Sequence, residues 1–245
     1  MAMRIGLIAD IHGNCIALDA VLAALARDGV DDVICLGDVA ALGPQPTEVI
    51  ARLRALNCPV VMGNTDAWLL DPPSEGGDER DRPMVALAQW CAAQLTDDDR
   101  VYVRAFPPML ERALADEQRL LCFHGSPHSL DDVIIATTPD DDLHRMFNGC
   151  DAAIMAGGHT HRAMLRGYGD ACVINPGSVG LSGTGAVTPY NRDVHWAEYA
   201  VLETDAGRHA VTLHRIDLDV AAMLDAARTR GMPEYDYWAA KWRAV

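Results

Sequence analysis

Residues 4–9 read Arg-Ile-Gly-Leu-Ile-Ala, an apolar run that stops at Asp10 and predicts a strand buried on both faces. Beyond Asn14 the apolar positions move to helical spacing, at Ile16, Ala17, Ala20, Val21, Ala24 and Leu25. Asn14 is placed to cap that helix and Gly29 to end it. Residues 32–36 predict a second strand closed by Gly37-Asp38, residues 47–56 a helix, and residues 59–62 a third strand closed by Gly63-Asn64. This β-α-β-α-β order predicts a parallel sheet with right-handed crossovers, covered by helices.

The alternation breaks at residues 71–83, where Pro, Gly and acidic residues crowd into a loop. Residues 84–105 predict two helical pieces, the second starting at Thr96 ahead of three aspartates, and together residues 71–105 form a loop and helical insertion or cap. Strands are predicted at 109–113 and 119–123, joined by a turn around Asp116, the second ending in His124-Gly125. A helix at 139–147 leads to a strand at 152–156 and then to Gly157-Gly158-His159-Thr160-His161. Strands at 163–168, 171–174, 195–203 and 209–216 are close enough to pair as antiparallel neighbours, and helical segments at 220–230 and 234–243 close the chain. No internal repeat is visible, and residues 1–245 are expected to form a single domain.

The chain has 245 residues, half of them apolar, enough for a substantial core. No apolar run approaches the roughly 18 to 20 residues that span a bilayer, and the first residues lack a signal-peptide pattern. Seven cysteines without a Cys-x-x-Cys pair argue against a disulfide framework or a thiolate zinc site, so a cytosolic protein is expected. Lys and Arg total 20 against 35 Asp and Glu, a formal charge of −15. Such a surface repels nucleic acid, so any phosphate group that binds must be attracted by local cations.

Chemistry concentrates at the predicted strand ends. Asp10-Ile-His12, Gly37-Asp38, Gly63-Asn64, His124-Gly125 and Gly158-His159-Thr160-His161 each leave a strand at its C-terminal end, where the loops of an α/β sheet converge on one crevice. Each motif alone is an ordinary turn sequence; the joint occurrence carries the inference. Four His, two Asp and one Asn exceed what one tetrahedral ion uses. They suit two divalent first-row transition ions sharing one carboxylate better than a magnesium or calcium site. His144, His195, His209 and His214 fall on predicted surfaces, and Cys35 and Cys122 serve as small buried hydrophobes. The aromatic residues Tyr235, Tyr237, Trp238 and Trp242 have helical spacing and read as packing, and residues 175–180 read as a structural turn.

Taken together, Asp10-x-His12, Gly37-Asp38, Gly63-Asn64-x-Asp66, His124 and Gly158-His159-x-His161 resemble the calcineurin-like metallophosphoesterases. Asp10-Ile-His12-Gly13-Asn14, His124-Gly125-Ser126-Pro127 and Asn175-Pro176-Gly177-Ser178-Val179-Gly180 are similar to its compact bacterial and archaeal branch. The resemblance implies an α/β fold, a four-layer α/β/β/α sandwich of two mixed sheets. It implies that Asp10, His12 and His161 hold one metal, that Asn64, His124 and His159 hold a second, and that Asp38 bridges them, with water or hydroxide between the ions as nucleophile. Mn²⁺ is the first expectation, with Fe, Zn²⁺ or Ni²⁺ as alternatives. A small phosphoester or nucleotide-like substrate follows, monoester or diester, with no membrane partner and a homo-oligomer left open.

Two departures stand out. The family's Gly-Asn-His motif carries a histidine where this chain has Thr65, and the arginine-containing stretch that follows the Asn-Pro-Gly-Ser-Val-Gly turn is small and polar here. His128 and Arg192 are the candidates for leaving-group or substrate contacts in their place. The competing reading is an interaction module, since the retromer cargo-recognition subunit shares this fold. Completeness of the seven ligands separates the two.

Overall fold

A computed structural model of the chain describes residues 3–74, 82–114, 118–182 and 194–242. The first apolar run forms β1 (Met3–Ile8), and the helix that follows, α1 (Cys15–Asp28), is capped by the Asn14 side chain, which accepts from the Ala17 N–H, and ends on left-handed Gly29. Then come β2 (Asp32–Cys35), α2 (Pro46–Leu56) and a short α3 (Asn64–Leu70). The predicted third strand is absent: residues 59–62 contribute one parallel bridge, Cys35 to Val60. Pro59 has no N–H to give a ladder, and Met62 already donates to the carbonyl of Pro107. The chain turns directly into α3, a helix that the pattern did not predict, and Asn64 is its first residue.

The insertion forms α4 (Arg82–Gln94) and α5 (Asp97–Arg104), the latter capped by Thr96. It is followed by β3 (Met109–Ala113), β4 (Arg119–Phe123), α6 (Asp140–Met146), β5 (Ile154–Ala156), β6 (Met164–Tyr168) and β7 (Ala171–Asn175). The last elements are β8 (Trp196–Asp205), β9 (Arg208–Asp217), α7 (Val220–Thr229) and α8 (Tyr235–Ala239). The turn predicted around Asp116 lies outside the described residues.

The strands form two mixed sheets, ordered β2-β1-β8-β9 and β3-β4-β5-β7-β6. In the first, β1 and β2 run parallel while β8 and β9 return antiparallel, which corrects the purely parallel sheet suggested by the opening alternation. In the second, β4, β5 and β7 are parallel and the edge strands β3 and β6 are antiparallel. The expected antiparallel pairing therefore holds for β6 with β7 and for β8 with β9, but β7 and β8 belong to different sheets.

Alternation along the strands sorts the side chains into layers. Ile5, Leu7, Ile34, Leu36, Ala200 and Leu202 of the first sheet meet Leu120, Cys122, Ile154 and Ile174 of the second. Ile8, Cys35, Tyr199 and Val201 face the opposite way, into a core shared with Leu18, Val49, Leu53, Leu87, Cys91, Val103 and Met223 from the helices. The two insertion helices thus share the core of α1 and α2 instead of standing apart as a cap. Leu121, Phe123, Met155 and Val173 cover the far side of the second sheet against Leu143 and Phe147. The result is helix, sheet, sheet, helix. Both sheets direct their parallel strands' C-terminal ends to one edge, where the polar motifs gather.

Candidate metal centre

The loops leaving β1 and β2 run side by side: Asp10, His12 and Gly13 donate backbone N–H groups to the carbonyls of Gly37, Asp38 and Val39 at 2.9–3.0 Å. Their side chains reach the edge only because the backbone bends sharply. Asp10, His12, Asp38, His159 and His161 all have positive φ, between 48° and 68°. Such angles cost a non-glycine residue of order 1–3 kcal/mol each, and their concentration at one edge marks a site held under constraint.

The donor atoms fall into two groups. Asp10, His12, Asp38 and His161, all buried, offer ligand atoms within 4.8 Å of one another. His161 Nε2 lies 3.4 Å from Asp10 Oδ1, and His12 Nε2 lies 3.7 Å from Asp38 Oδ2. In the second group His124 Nε2 is 3.4 Å from the same Asp38 Oδ2 and 3.1 Å from Asn64 Oδ1, which is itself 3.2 Å from His159 Nδ1. Asp38 therefore belongs to both groups. All seven residues expected from the sequence come together.

The backbone fixes how three of the rings point. Nδ1 of His12 faces the carbonyl of Ala41 at 3.2 Å, Nδ1 of His124 that of Leu36 at 2.8 Å, and Nδ1 of His161 that of Leu181 at 2.8 Å. A carbonyl accepts only, so each Nδ1 carries a proton, and Nε2 is the atom turned to the centre, with a lone pair to offer whenever the ring is neutral. His12 and His161 bring their Nε2 atoms within 3.0 Å of each other, and, against burial, Asp10 favours a proton on His161 in the bare centre. That contact is repulsive for neutral rings, and a shared cation relieves it. Two imidazoles at right angles on an ion with metal–nitrogen bonds of about 2.0–2.1 Å are roughly 3 Å apart. The donor set fits a divalent transition metal.

The electrostatics of the bare centre follow from packing charges without water. Burial, reinforced by His161, pushes His12 down to about 4 against the pull of Asp38. Burial opposes protonation of His124 as well, but the Asp38 carboxylate overcomes it and raises that ring to about 10. Burial works against ionised Asp38 too, yet His124 and His12 hold its carboxyl well below the usual range. His159 is lowered by burial and by His124.

Asp66 was not among the expected site residues. It is fully buried and accepts from the N–H groups of Asp38 at 2.8 Å, Val39 at 2.8 Å and Gly63 at 3.0 Å, so it ties the bridging loop to the start of α3. Burial and the nearby Asp38 charge raise it to about 7. An acidic residue at the third position of a helix was the available signal, but reading residues 59–64 as strand and turn concealed the helix start. Asp38 Oδ1 also accepts from the Thr65 N–H at 2.9 Å. Gly63 is required here, because a Cβ on it would lie 2.2 Å from Asp38 Oδ1.

The Asn175–Gly180 turn is structural, as read, and it braces the ligand loops. Asn175 Nδ2 donates to the Gly158 carbonyl at 2.7 Å, and Ser178 Oγ donates to the Asp10 carbonyl at 2.8 Å. The two remaining candidates are elsewhere. His128 faces the carbonyl of Asn148 through Nε2 at 2.8 Å and is not part of the cavity lining, and Arg192 lies outside the described residues.

A cavity of about 210 Å³ opens onto the donors, lined by His12, Asp38, Asn64, His159 and His161, and by Thr65 beside them. Tyr237 and Trp238 also line it. The aromatic cluster read as packing is therefore packing at Tyr235 and Trp242, and at Tyr237 and Trp238 cavity wall as well. Among the described residues no helix is long and apolar enough to cross a membrane. All seven cysteines are free.

The family model of the calcineurin-like phosphoesterase superfamily domain matches residues 3–207. An uncharacterized protein of Methanocaldococcus jannaschii is 24% identical over 246 residues, which covers 94% of each chain. A metallophosphoesterase from Sphaerobacter thermophilus is 26% identical, with a TM-score of 0.74 over 98% of this chain and all of that one. A hypothetical protein from Pyrococcus horikoshii OT3 shares the fold at 20% identity, with a TM-score of 0.78 over 97% of this chain and 96% of its own.

Proposed function

Since the chain belongs to the calcineurin-like phosphoesterase superfamily, we propose that it hydrolyses small phosphoesters, monoesters or diesters, at a centre of two divalent cations. The observation that carries the reading is the position of Asp38, whose Oδ2 lies 3.7 Å from His12 Nε2 and 3.4 Å from His124 Nε2. Asp10, His12 and His161 would hold one ion, Asn64, His124 and His159 the other, and Asp38 both. Mn²⁺ is the first expectation, with Fe, Zn²⁺ and Ni²⁺ as alternatives suited to imidazole. Bound there, the cations would supply Lewis acidity, lowering the pKa of a water and offsetting the charge of phosphoryl oxygens.

The chain's own residues do the rest. Carbonyls of Ala41, Leu36 and Leu181 keep three imidazoles in the ligating tautomer. The His159 N–H donates to both Asp10 oxygens at 3.1–3.2 Å and holds that carboxylate on the donor edge. With a formal charge of −15, the protein attracts a phosphate only where local cations reverse the field. Free thiols throughout suit a reducing cytosol.

A non-catalytic interaction module on the same fold has no need of a full donor set. Here all seven donors converge, which favours the hydrolase. The test is metal analysis of purified protein, followed by assay of a phosphoester panel with added Mn²⁺. About two divalent ions per chain and metal-dependent hydrolysis are expected. A protein that binds no metal after reconstitution removes the proposal.

A further inference from the structure

The cavity has two unlike sides. Its floor is the donor set, and its wall includes Trp68 of α3, Met84 and Leu87 of α4, and Tyr237 and Trp238 of α8. Lys241, just beyond α8, completes it, and this is the only lysine in the chain. The ammonium sits 4.3 Å from the centroid of the Tyr237 ring, which presents the cation to the cavity beside an aromatic face. Two further polar atoms belong to cavity residues and have no hydrogen-bond partner although buried: Thr65 Oγ1 and Trp238 Nε1. Both atoms lie beneath the cavity surface, where unpaired polar groups cost free energy. Trp68, Met84 and Leu87 lie within the family match, while α8 and Lys241 lie beyond residue 207, where it ends.

An apolar cavity of about 150 Å³ holds a benzene ring. At about 210 Å³ this one has room for a ring together with a phosphoryl group. We infer that the preferred substrate is a small phosphoester bearing a planar aromatic group, the ring seated on Trp68, Met84, Leu87, Tyr237 and Trp238 and Lys241 paired with a phosphoryl oxygen. The inference rests on the phosphoester reading of the floor. A lysine ammonium is a compact charge on a flexible stem, suited to an oxyanion whose position shifts during reaction. A planar ring on an apolar wall gains contact area that a methyl group in the same place does not.

The experiment compares two non-hydrolysable probes, phenylphosphonate and methylphosphonate, titrated by calorimetry into the Mn²⁺-loaded full chain. The wild-type protein is expected to bind the phenyl probe about tenfold more tightly or better. Met84→Ser alters a half-buried position and should shrink that preference to about threefold or less while leaving methylphosphonate affinity unchanged, and Tyr237→Ser should shrink it as well, with some loss for both probes because the ring holds Lys241. Lys241→Met should weaken both probes alike, by roughly tenfold, with Lys241→Arg restoring part of the loss. Circular dichroism checks each fold. Equal affinity for the two probes, no binding of either, or a phenyl preference untouched by both wall variants overturns the inference. Phenyl-selective binding without hydrolysis of any phosphoester overturns the hydrolase and keeps the wall. Hydrolysis without aryl preference does the reverse.

Discussion

The donors on the floor of the cavity, Asn64 at the start of α3 excepted, belong to loops that are hydrogen-bonded to other loops, whereas the wall opposite is assembled from side chains on α3, α4 and α8. On the floor, backbone carbonyls from residues 36, 41 and 181 aim three histidines, and five donor residues accept left-handed backbone angles to reach their places. On the wall, Trp68, Met84 and Tyr237 are half-buried side chains packed against the helical core. The difference separates two kinds of sensitivity. Changing a floor residue alters a geometry that several loops hold jointly, and changing a wall residue alters only shape and apolar area. Chemistry should therefore fail abruptly on the floor, and preference should drift on the wall.

The largest effect tests that contrast at its centre. Asp38→Asn removes the one charged donor common to both groups, so metal content should collapse and activity fall by more than the roughly 10- to 100-fold that follows loss of an outer-shell partner. Tyr237→Ser, on the wall, should keep its full metal complement. Metal analysis alongside kcat/KM decides it. An Asp38→Asn protein with both ions and full activity would show that Asp38 is not the bridge, and the floor would lose its special status.

A step down in size is Asp66→Asn. Asp66 touches no substrate; it acts by accepting from the N–H groups of Asp38, Val39 and Gly63. An amide offers one acceptor oxygen and turns an NH₂ group toward a backbone donor, which leaves a buried N–H unpaired at a cost of about 1–3 kcal/mol. Metal affinity should drop by about 10- to 100-fold, with a lowered melting temperature. The measurement is a metal titration on folded protein. Unchanged affinity would mean that the bridging loop holds its own shape, and that the floor is stiffer than its hydrogen bonds imply.

The same contrast explains what was legible in the sequence. Asp10, His12, Asp38, His124, His159 and His161 could be gathered because each sits within a few residues of a strand end, and strand ends follow from short apolar runs; Asn64 was gathered with them because it closes an apolar segment that forms one bridge instead of a strand. Asp66 was legible as part of the motif Gly63-Asn64-x-Asp66 but received no role, because that role depends on a helix start that reading residues 59–62 as a strand concealed. Tyr237 and Trp238 escaped for a different reason. Helical aromatic spacing is the same whether the ring meets core or cavity, and Trp238 does both. The third apolar segment was misread as a strand, and β8, returning to β1 from far along the chain, pairs where local pattern could not place it. Local pattern reports the elements; the partners of each face come from contacts far apart in the chain.

The smallest expected effect lies where floor meets wall, at Thr65. Its N–H holds Asp38 Oδ1 at 2.9 Å, while its hydroxyl is buried and unpaired beside the cavity. Breaking a P–O bond leaves charge on the departing oxygen, and a positioned imidazole relieves it by general acid catalysis, typically worth about 10² to 10⁴ in rate. Threonine is far too weak an acid to substitute. His128 does not compensate, since its ring faces the Asn148 carbonyl away from the cavity. Hydrolysis should therefore depend steeply on the leaving group, with aryl phosphoesters cleaved much faster than alkyl ones bearing the same second substituent. Thr65→His should flatten the dependence by improving alkyl substrates about tenfold, less than the full catalytic value because no neighbour orients the new ring. The backbone N–H to Asp38 survives this substitution, so metal content should not change. The measurement is kcat/KM across phosphoesters of graded leaving-group pKa, in both proteins, with chemistry shown to be rate-limiting. A flat wild-type dependence would place another acid within reach of the leaving oxygen, and the wall, not the floor, would be the place to look for it.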